Sequence, residues 1–172
     1  MIFKYNEETK KIELGDTGKV VAKPLSNISN MLIPDVDPSI SAKVALHVFN
    51  GINRVHDIKF GDHARAAELL TAGGFDAPKK QDLFHDSHSL TYNEYSDTIR
   101  VKETNHLLMA KNPNTGQWEF NFDSGAPEQL AQQSFLRFHA NPSLRNANPY
   151  VLLDGLNSKP VRQLEHQDPS YP

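Results

Sequence analysis

The chain has 172 residues, of which 38% are hydrophobic, 9% aromatic and 23% charged, which fits a folded domain with a core rather than a disordered chain. It contains no cysteine, so disulfides, iron–sulfur clusters, zinc–thiolate sites and a cysteine nucleophile are excluded, and any metal would bind to His, Asp or Glu. The net charge of -3 predicts no general affinity for nucleic acid or anionic membranes, although it leaves room for a local basic patch.

The N-terminal sequence MIFKYNEETKK has no long apolar run. It therefore predicts neither a signal peptide nor a membrane span. From this we expect a cytoplasmic protein of a bacterium or a phage, with no membrane partner.

The first predicted elements are short strands at residues 2–6, 10–14 and 18–22. Lys10-Lys11 and Asp16-Thr17-Gly18 are typical of the turns between such strands. Residues 23–39, which contain three prolines among polar residues, are predicted to form a loop. No internal repeat is expected from the residue pattern.

Two helices are predicted next. Asp37 is a good N-cap and Pro38 suits the first helical position, and the apolar residues from Ile40 to Val55 then recur on one helical face. Asp62 is the predicted N-cap of a second helix over residues 63–72. Gly73-Gly74 should end it by adopting a positive φ, with Phe75 packing back over that end.

Residues 76–97 are polar and predicted to be irregular, and strands follow at 98–103, 106–111 and 117–123. A turn at 112–116 should pair Lys111 with Gln117, which places Trp118, Phe120 and Phe122 on one buried face. A helix over about 126–140 has an apolar face made by Leu130, Ala131, Phe135 and Phe138. Residues 149–156 could form a last strand or a short helix.

The helices and strands are segregated rather than alternating, which predicts an α+β fold with an antiparallel sheet and two to three helices packed on one face. Residues 1–158 are expected to form a single domain. Residues 159–172 are expected to form a polar, proline-rich tail.

Two short segments contain the residue types of a metal or acid–base site. His56, Asp57 and His63 form the first, and His85 and His88, three residues apart, belong to the second segment, FHDSH. Together they could hold a divalent metal if the two segments meet in space. Without a metal, His85 or His88 could act as general acid and base while Arg100 holds a phosphate. The structural alternative is that Asp62 caps a helix and the other side chains are solvated.

The segments VHDI (55–58) and HARAAELLTAGGF (63–75) resemble pieces of the HD-domain phosphohydrolases. The resemblance implies a metal held by the His56–Asp57 pair, an upstream His and a later Asp on an all-helical scaffold. His47 is the only upstream histidine, and sheet-forming sequence follows where that family would need more helices. We therefore assign no membership.

The remaining histidines have structural interpretations. His47 and His106 are expected in or near the core, and His139 is expected to contact the carbonyls at the end of its helix. Four basic residues of the C-terminal third could contact nucleic acid together with Phe138 and Tyr150, but no recognised motif surrounds them: Arg137, Arg145, Lys159 and Arg162. Phosphate-binding glycine loops and the serine hydrolase motif are absent.

Two functions follow from these observations. The first is a small binding protein that acts through surface loops on a macromolecular partner, with a protein partner or self-association favoured and nucleic acid possible but not supported by net charge. The alternative is a phosphoester hydrolase or nuclease, either metal-dependent or based on histidine alone.

Overall fold

The computed structural model describes residues 1–75 and 89–157. These ranges contain eight strands and five α-helices, and they confirm the predicted α+β class. The strands are β1 Phe3–Asn6, β2 Lys11–Leu14, β3 Lys19–Ser26, β4 Ser29–Pro34, β5 Leu90–Asn93, β6 Thr98–Val101, β7 Leu107–Lys111 and β8 Trp118–Glu119. The helices are α1 Ala42–Arg54, α2 His56–Phe60, α3 His63–Ala72, α4 Glu128–Ala140 and α5 Pro149–Leu156. Among the described helices, none combines the length and the hydropathy that a membrane span requires.

The strands form two antiparallel sheets of four strands each, where a single sheet was expected. Each sheet is a meander in which the strands lie in chain order, β1 to β4 in one and β5 to β8 in the other. A helix of 13 residues follows each sheet, α1 after the first and α4 after the second. A later helix then packs on the first strand of its own sheet, α3 on β1 and α5 on β5. The two halves of the chain thus repeat one order of elements.

This repeat is visible in the sequence once the hairpins are aligned. Residues 5–14 read YNEETKKIEL and residues 92–101 read YNEYSDTIRV, with four identities in ten positions. The registers agree as well, because Tyr5 pairs with Ile12 just as Tyr92 pairs with Ile99. The expectation of no internal repeat was therefore wrong, since low identity hid a shared hairpin.

Phe49 is the point where the two halves meet. It lies on α1, is fully buried, and stacks on Phe135 of α4 at 4.8 Å between ring centroids. On another side it stacks on Phe122 at 4.7 Å and meets the edge of Phe120 at 6.1 Å, both in the chain that follows β8. The predicted burial of Phe120 and Phe122, and of Trp118 beside them, is confirmed.

A buried lysine joins α2 to the same region. The Lys59 ammonium donates to the Phe122 carbonyl at 2.6 Å and to Ser124 Oγ at 2.8 Å, and it lies 4.7 Å from the centre of the Phe122 ring. Burial lowers the pKa of Lys59, and the nearby Asp123 carboxylate opposes that shift. The short helix that begins at His56 therefore has a structural purpose, which is to place Lys59 beneath this loop.

The first helix begins later than predicted. Ser41, not Asp37, is its N-cap, and Ser41 Oγ accepts a hydrogen bond from the Val44 N–H. The Asp37 carboxylate is already engaged, because it accepts bonds from the backbone N–H and the hydroxyl of Ser39. Pro38 consequently belongs to a turn ahead of the helix. The Asp62 N-cap of α3 and the buried face of α4 are confirmed.

Two segments predicted as irregular contain strands. Residues 23–39 continue β3 and form all of β4, and residues 76–97 include β5. Pro24 favoured a loop in the sequence, because proline cannot donate a hydrogen bond to a strand ladder. It fits in β3 because the β3–β4 register shifts between Pro24 and Ser26. Residues 149–156, left open between strand and helix, form α5 with Asn148 as N-cap.

The β7–β8 hairpin differs from the predicted register by one residue. The Asn112 N–H bonds to the Gln117 carbonyl and closes the turn, so Lys111 pairs with Trp118. The strand also ends at Glu119 rather than at residue 123. His106 consequently does not pack in the core: it is partly exposed, and its Nδ1 lies 2.7 Å from Thr104 Oγ1.

Gly73 ends α3 without the positive φ that was predicted for it. Gly73 has a φ of -83°, which any residue can adopt. A Cβ at this position would instead lie 2.2 Å from Cε2 of Phe75, which packs over the helix end as expected. A larger residue at position 73 would therefore displace the Phe75 ring from the helix end.

Truncation of Phe49 should test the role of the aromatic cluster. Phe49→Ala removes stacking that joins α1, α4 and the chain after β8, and we expect it to lower the free energy of unfolding by about 3–5 kcal/mol. The matched control is Tyr95→Ala, because Tyr95 is 95% exposed and should change stability by less than about 0.5 kcal/mol. Urea denaturation measures both, and equal effects would contradict this role for Phe49.

Candidate functional site

The His–Asp segment at 56–63 does not form a compact cluster. His56 and Asp57 lie at the exposed start of α2, with His56 Nδ1 and Asp57 Oδ1 3.9 Å apart. His63 is the first residue of α3, and its Nε2–H donates to the Asn30 carbonyl at 2.7 Å. In residues 1–75 and 89–157 no group of three or more His, Asp or Glu could hold a metal.

The second segment lies outside the described residues, because it includes His85 and His88. Arg100, proposed as its phosphate-binding partner, is in β6 and donates to the Asn105 carbonyl at 3.1 Å. The convergence of the two segments therefore stays a prediction. So does the tail at 159–172, which also lies outside the described ranges.

His47 confirms the expectation of a buried, hydrogen-bonded side chain. Its Nδ1 accepts from the Phe75 N–H at 3.3 Å, so its Nε2 carries the proton that is donated to the Leu70 carbonyl at 2.8 Å. The ring also stacks on Phe3 with centroids 5.5 Å apart. His47 thus holds the end of α3 against α1 and β1.

His139 is also buried, but it does not contact the carbonyls of its own helix. Its Nε2–H donates to the Ile40 carbonyl at 2.7 Å, while its Nδ1 has no hydrogen-bond partner among the described residues. Burial lowers the pKa of His139, aided by the charge of Arg145 and opposed by the Ile40 bond and Asp37. The neutral ring fastens α4 to the turn ahead of α1.

Arg137 and Arg145 are engaged within the fold, whereas Lys159 and Arg162, also considered for nucleic acid, lie outside the described residues. Arg137 donates to the Leu156 carbonyl at 2.7 Å and so ties α4 to α5. Arg145 pairs with Asp35 at 3.2 Å, donates to the Val36 carbonyl at 2.7 Å and lies over the Phe138 ring. These contacts give both side chains structural roles.

A cleft of about 920 Å³ lies where three hairpin turns come together. In an antiparallel meander the β1–β2 and β3–β4 turns project from the same end of the sheet, and here the β7–β8 turn of the other sheet faces them. We call this the lysine cleft, and it is lined by residues 9–11, 23–27, 29–30 and 110–115, together with Tyr5, His63, Glu119 and Asn121.

The charge of the lysine cleft is opposite to that of the whole chain. Four lysines line it, Lys10, Lys11, Lys23 and Lys111, against a single carboxylate, Glu119. Lys23 and Glu119 form an ion pair that links β3 to β8. The other three lysines have no acidic partner among the described residues. A local excess of positive charge therefore exists in a protein whose net charge is -3.

Asparagine side chains hold two of the turns in place. Asn6 Oδ1 accepts from the N–H groups of Glu8 and Thr9, and this turn ends at Lys10, which has a φ of +65°. In the same way Asn112 Oδ1 accepts from Asn114 and Thr115 in the β7–β8 turn. Lys10 therefore belongs to a defined turn, and Lys111 ends the strand that leads into another.

The cleft was missed in the sequence because its lysines come from distant positions. In the sequence Lys10-Lys11 indicates only a turn, Lys111 only a hairpin pair, and Lys23 lies in a segment that is predicted to be a loop. The signal in the sequence is an asparagine near the start of each turn, at Asn6, Asn93 and Asn112; in the structure the residue four positions later has a positive φ each time. That pattern locates the hairpin turns, although it does not show which turns meet.

Comparison with known proteins gives no matching family model, no matching curated protein and no matching solved structure. The chemistry of the lysine cleft therefore carries the functional proposal.

The buried histidine makes a specific prediction about pH. Because the folded-state pKa of His139 lies below its ordinary value of 6.5, the stability it contributes is full above that pH and is lost as pH falls through the lower folded pKa. His139→Gln keeps an amide donor near the Ile40 carbonyl and removes the titration. Between about pH 7.5 and about pH 5, unfolding experiments should show a smaller loss of stability in this variant.

The control is His56→Gln, since the His56 side chain is 80% exposed. This variant should follow the wild-type dependence on pH. If His139→Gln and the wild type lose equal stability over the same pH range, the assigned role of His139 is wrong.

Proposed function

We propose that the protein is a binding protein whose lysine cleft holds an anionic, phosphate-bearing ligand. The observation that carries the proposal is the meeting of four lysines and one glutamate in a cleft among three hairpin turns, in a chain that is acidic as a whole. Clefts lined by charge of one sign focus the electric field and raise the local concentration of ligands of the opposite sign. A macromolecular ligand and a cytoplasmic location belong to the same proposal.

The β1–β2 turn does not require the positive charge of Lys10. Lys10 corresponds to Asp97 in the repeated hairpin, and Asp97 adopts nearly the same backbone conformation, with a φ of +56° against +65°. An acidic residue therefore satisfies the same turn. The positive charge of Lys10 therefore has no role in the turn itself and is available to an anionic ligand.

The geometry of the cleft favours several phosphates over a single anion. Lys10 and Lys11 belong to the first turn, Lys23 to β3 and Lys111 to the end of β7. Since lysine binds phosphate as a point charge rather than as a bidentate fork, several lysines along a cleft suit a ligand with several charges. Ordered turns also limit the conformational entropy lost on binding.

Inorganic polyphosphate is a direct probe, because it carries charge without rings or bases. At about 50 mM salt, Lys10→Asn and Lys111→Gln should each weaken polyphosphate binding by roughly 3–10-fold in calorimetric titrations. The slope of log affinity against log salt should become shallower by about 0.7–0.9 for each lysine removed. Asparagine is chosen at residue 10 because it tolerates a positive φ.

Lys102→Gln is the matched control, since Lys102 is exposed and lies outside the cleft. Its effect on polyphosphate affinity should stay within about two-fold. Equal weakening by Lys102→Gln and Lys10→Asn would show that any surface lysine serves, and the proposal would then be wrong.

A further inference from the structure

We infer that the ligand of the lysine cleft is single-stranded nucleic acid, held by its phosphates at the lysines and by a base against the ring pair of Tyr5 and His63. This inference rests on the proposed function and adds the chemical class of the ligand. Three kinds of group in the cleft support it: cations, aromatic rings and side-chain amides.

The rings supply a surface that phosphate alone would not need. Tyr5 and His63 both line the cleft and are both partly exposed, with ring centroids 6.0 Å apart in an edge-to-face arrangement. His63 is fixed by its bond to the Asn30 carbonyl, and Tyr5 is fixed by its place in β1. Bases stack on tyrosine and histidine rings in proteins that bind unpaired strands.

Amide side chains provide groups that can bond to base edges. Asn27, Asn114 and Asn121 line the cleft, and each amide offers both a donor and an acceptor. Asn112 is excluded from this role, because its side chain already serves the turn and donates to Glu119 at 3.2 Å. The cleft thus offers groups for phosphate, for base faces and for base edges.

The concave shape favours an unpaired strand over a duplex. A duplex is read by elements that protrude into its grooves, whereas the rings and amides here line a cleft among turns. A single strand can enter such a cleft and place its bases on the rings. Since the rest of the surface is acidic on balance, binding should be confined to this cleft and sensitive to salt.

The test compares two ligands on two Tyr5 variants. Tyr5→Phe keeps the ring, and Tyr5→Leu keeps apolar packing against the core but removes the ring. With a labelled thymidine oligonucleotide of about ten residues, Tyr5→Leu should weaken binding by roughly ten-fold in fluorescence anisotropy, and Tyr5→Phe by less than about two-fold. Polyphosphate affinity should be unchanged in both variants, which also shows that the cleft remains folded.

Several outcomes would overturn the inference. If Tyr5→Leu and Tyr5→Phe bind the oligonucleotide equally well, the base does not contact the Tyr5 ring. If the wild type binds a DNA duplex or polyglutamate as tightly as it binds the oligonucleotide, the proposed ligand class is wrong. Binding of polyphosphate without binding of the oligonucleotide would contradict the inference and leave the proposed function standing. Failure of the wild type to bind either ligand would contradict the proposed function itself.

Discussion

The stacking of Phe49 on Phe122 and Phe135 is the interaction on which the rest of the structure depends. The walls of the lysine cleft come from both sheets, so the cleft exists only if the two halves keep a fixed relation. The Lys23–Glu119 ion pair also links the sheets, and the Arg54–Glu128 pair links α1 to α4 at 2.7 Å. Burial of one phenylalanine contributes about 1.5–3 kcal/mol, and Phe49, Phe122 and Phe135 are all buried in this cluster.

Comparison of the two repeated hairpins shows which of their residues are the same in both halves of the chain and which differ. Both hairpins keep the tyrosine, the turn asparagine and the isoleucine, because these residues set register, turn and core. The exposed turn positions differ, with Lys10 in one half and Asp97 in the other. A ring also faces each tyrosine, His63 for Tyr5 and Tyr150 for Tyr92. The same hairpin therefore has a lysine in its turn in the first half of the chain and an aspartate in the second half.

Local signals in the sequence predicted those elements whose cause is itself local. The Asp62 cap, the apolar face of α4 and the alternating burial of Trp118, Phe120 and Phe122 were all predictable. Strand β4 and the cleft were not, because Pro24 obscured a strand and three turns meet only through the packing of two sheets. The net charge of the chain did not indicate the basic cleft either, because the lysines that line it are far apart in the sequence. His56 and Asp57, which suggested a metal, begin the helix that carries Lys59.

The central claim is that the lysine cleft is the binding surface of this protein. Its most direct test is an NMR titration of the ¹⁵N-labelled chain with the thymidine oligonucleotide, which locates the contact residue by residue. The amide signals that shift should belong to residues 9–11, 26–27, 29–30, 110–112 and 114–115, in the three turns that form the cleft. Shifts confined to His56–Phe60 or to α5, with these turns unchanged, would contradict the account.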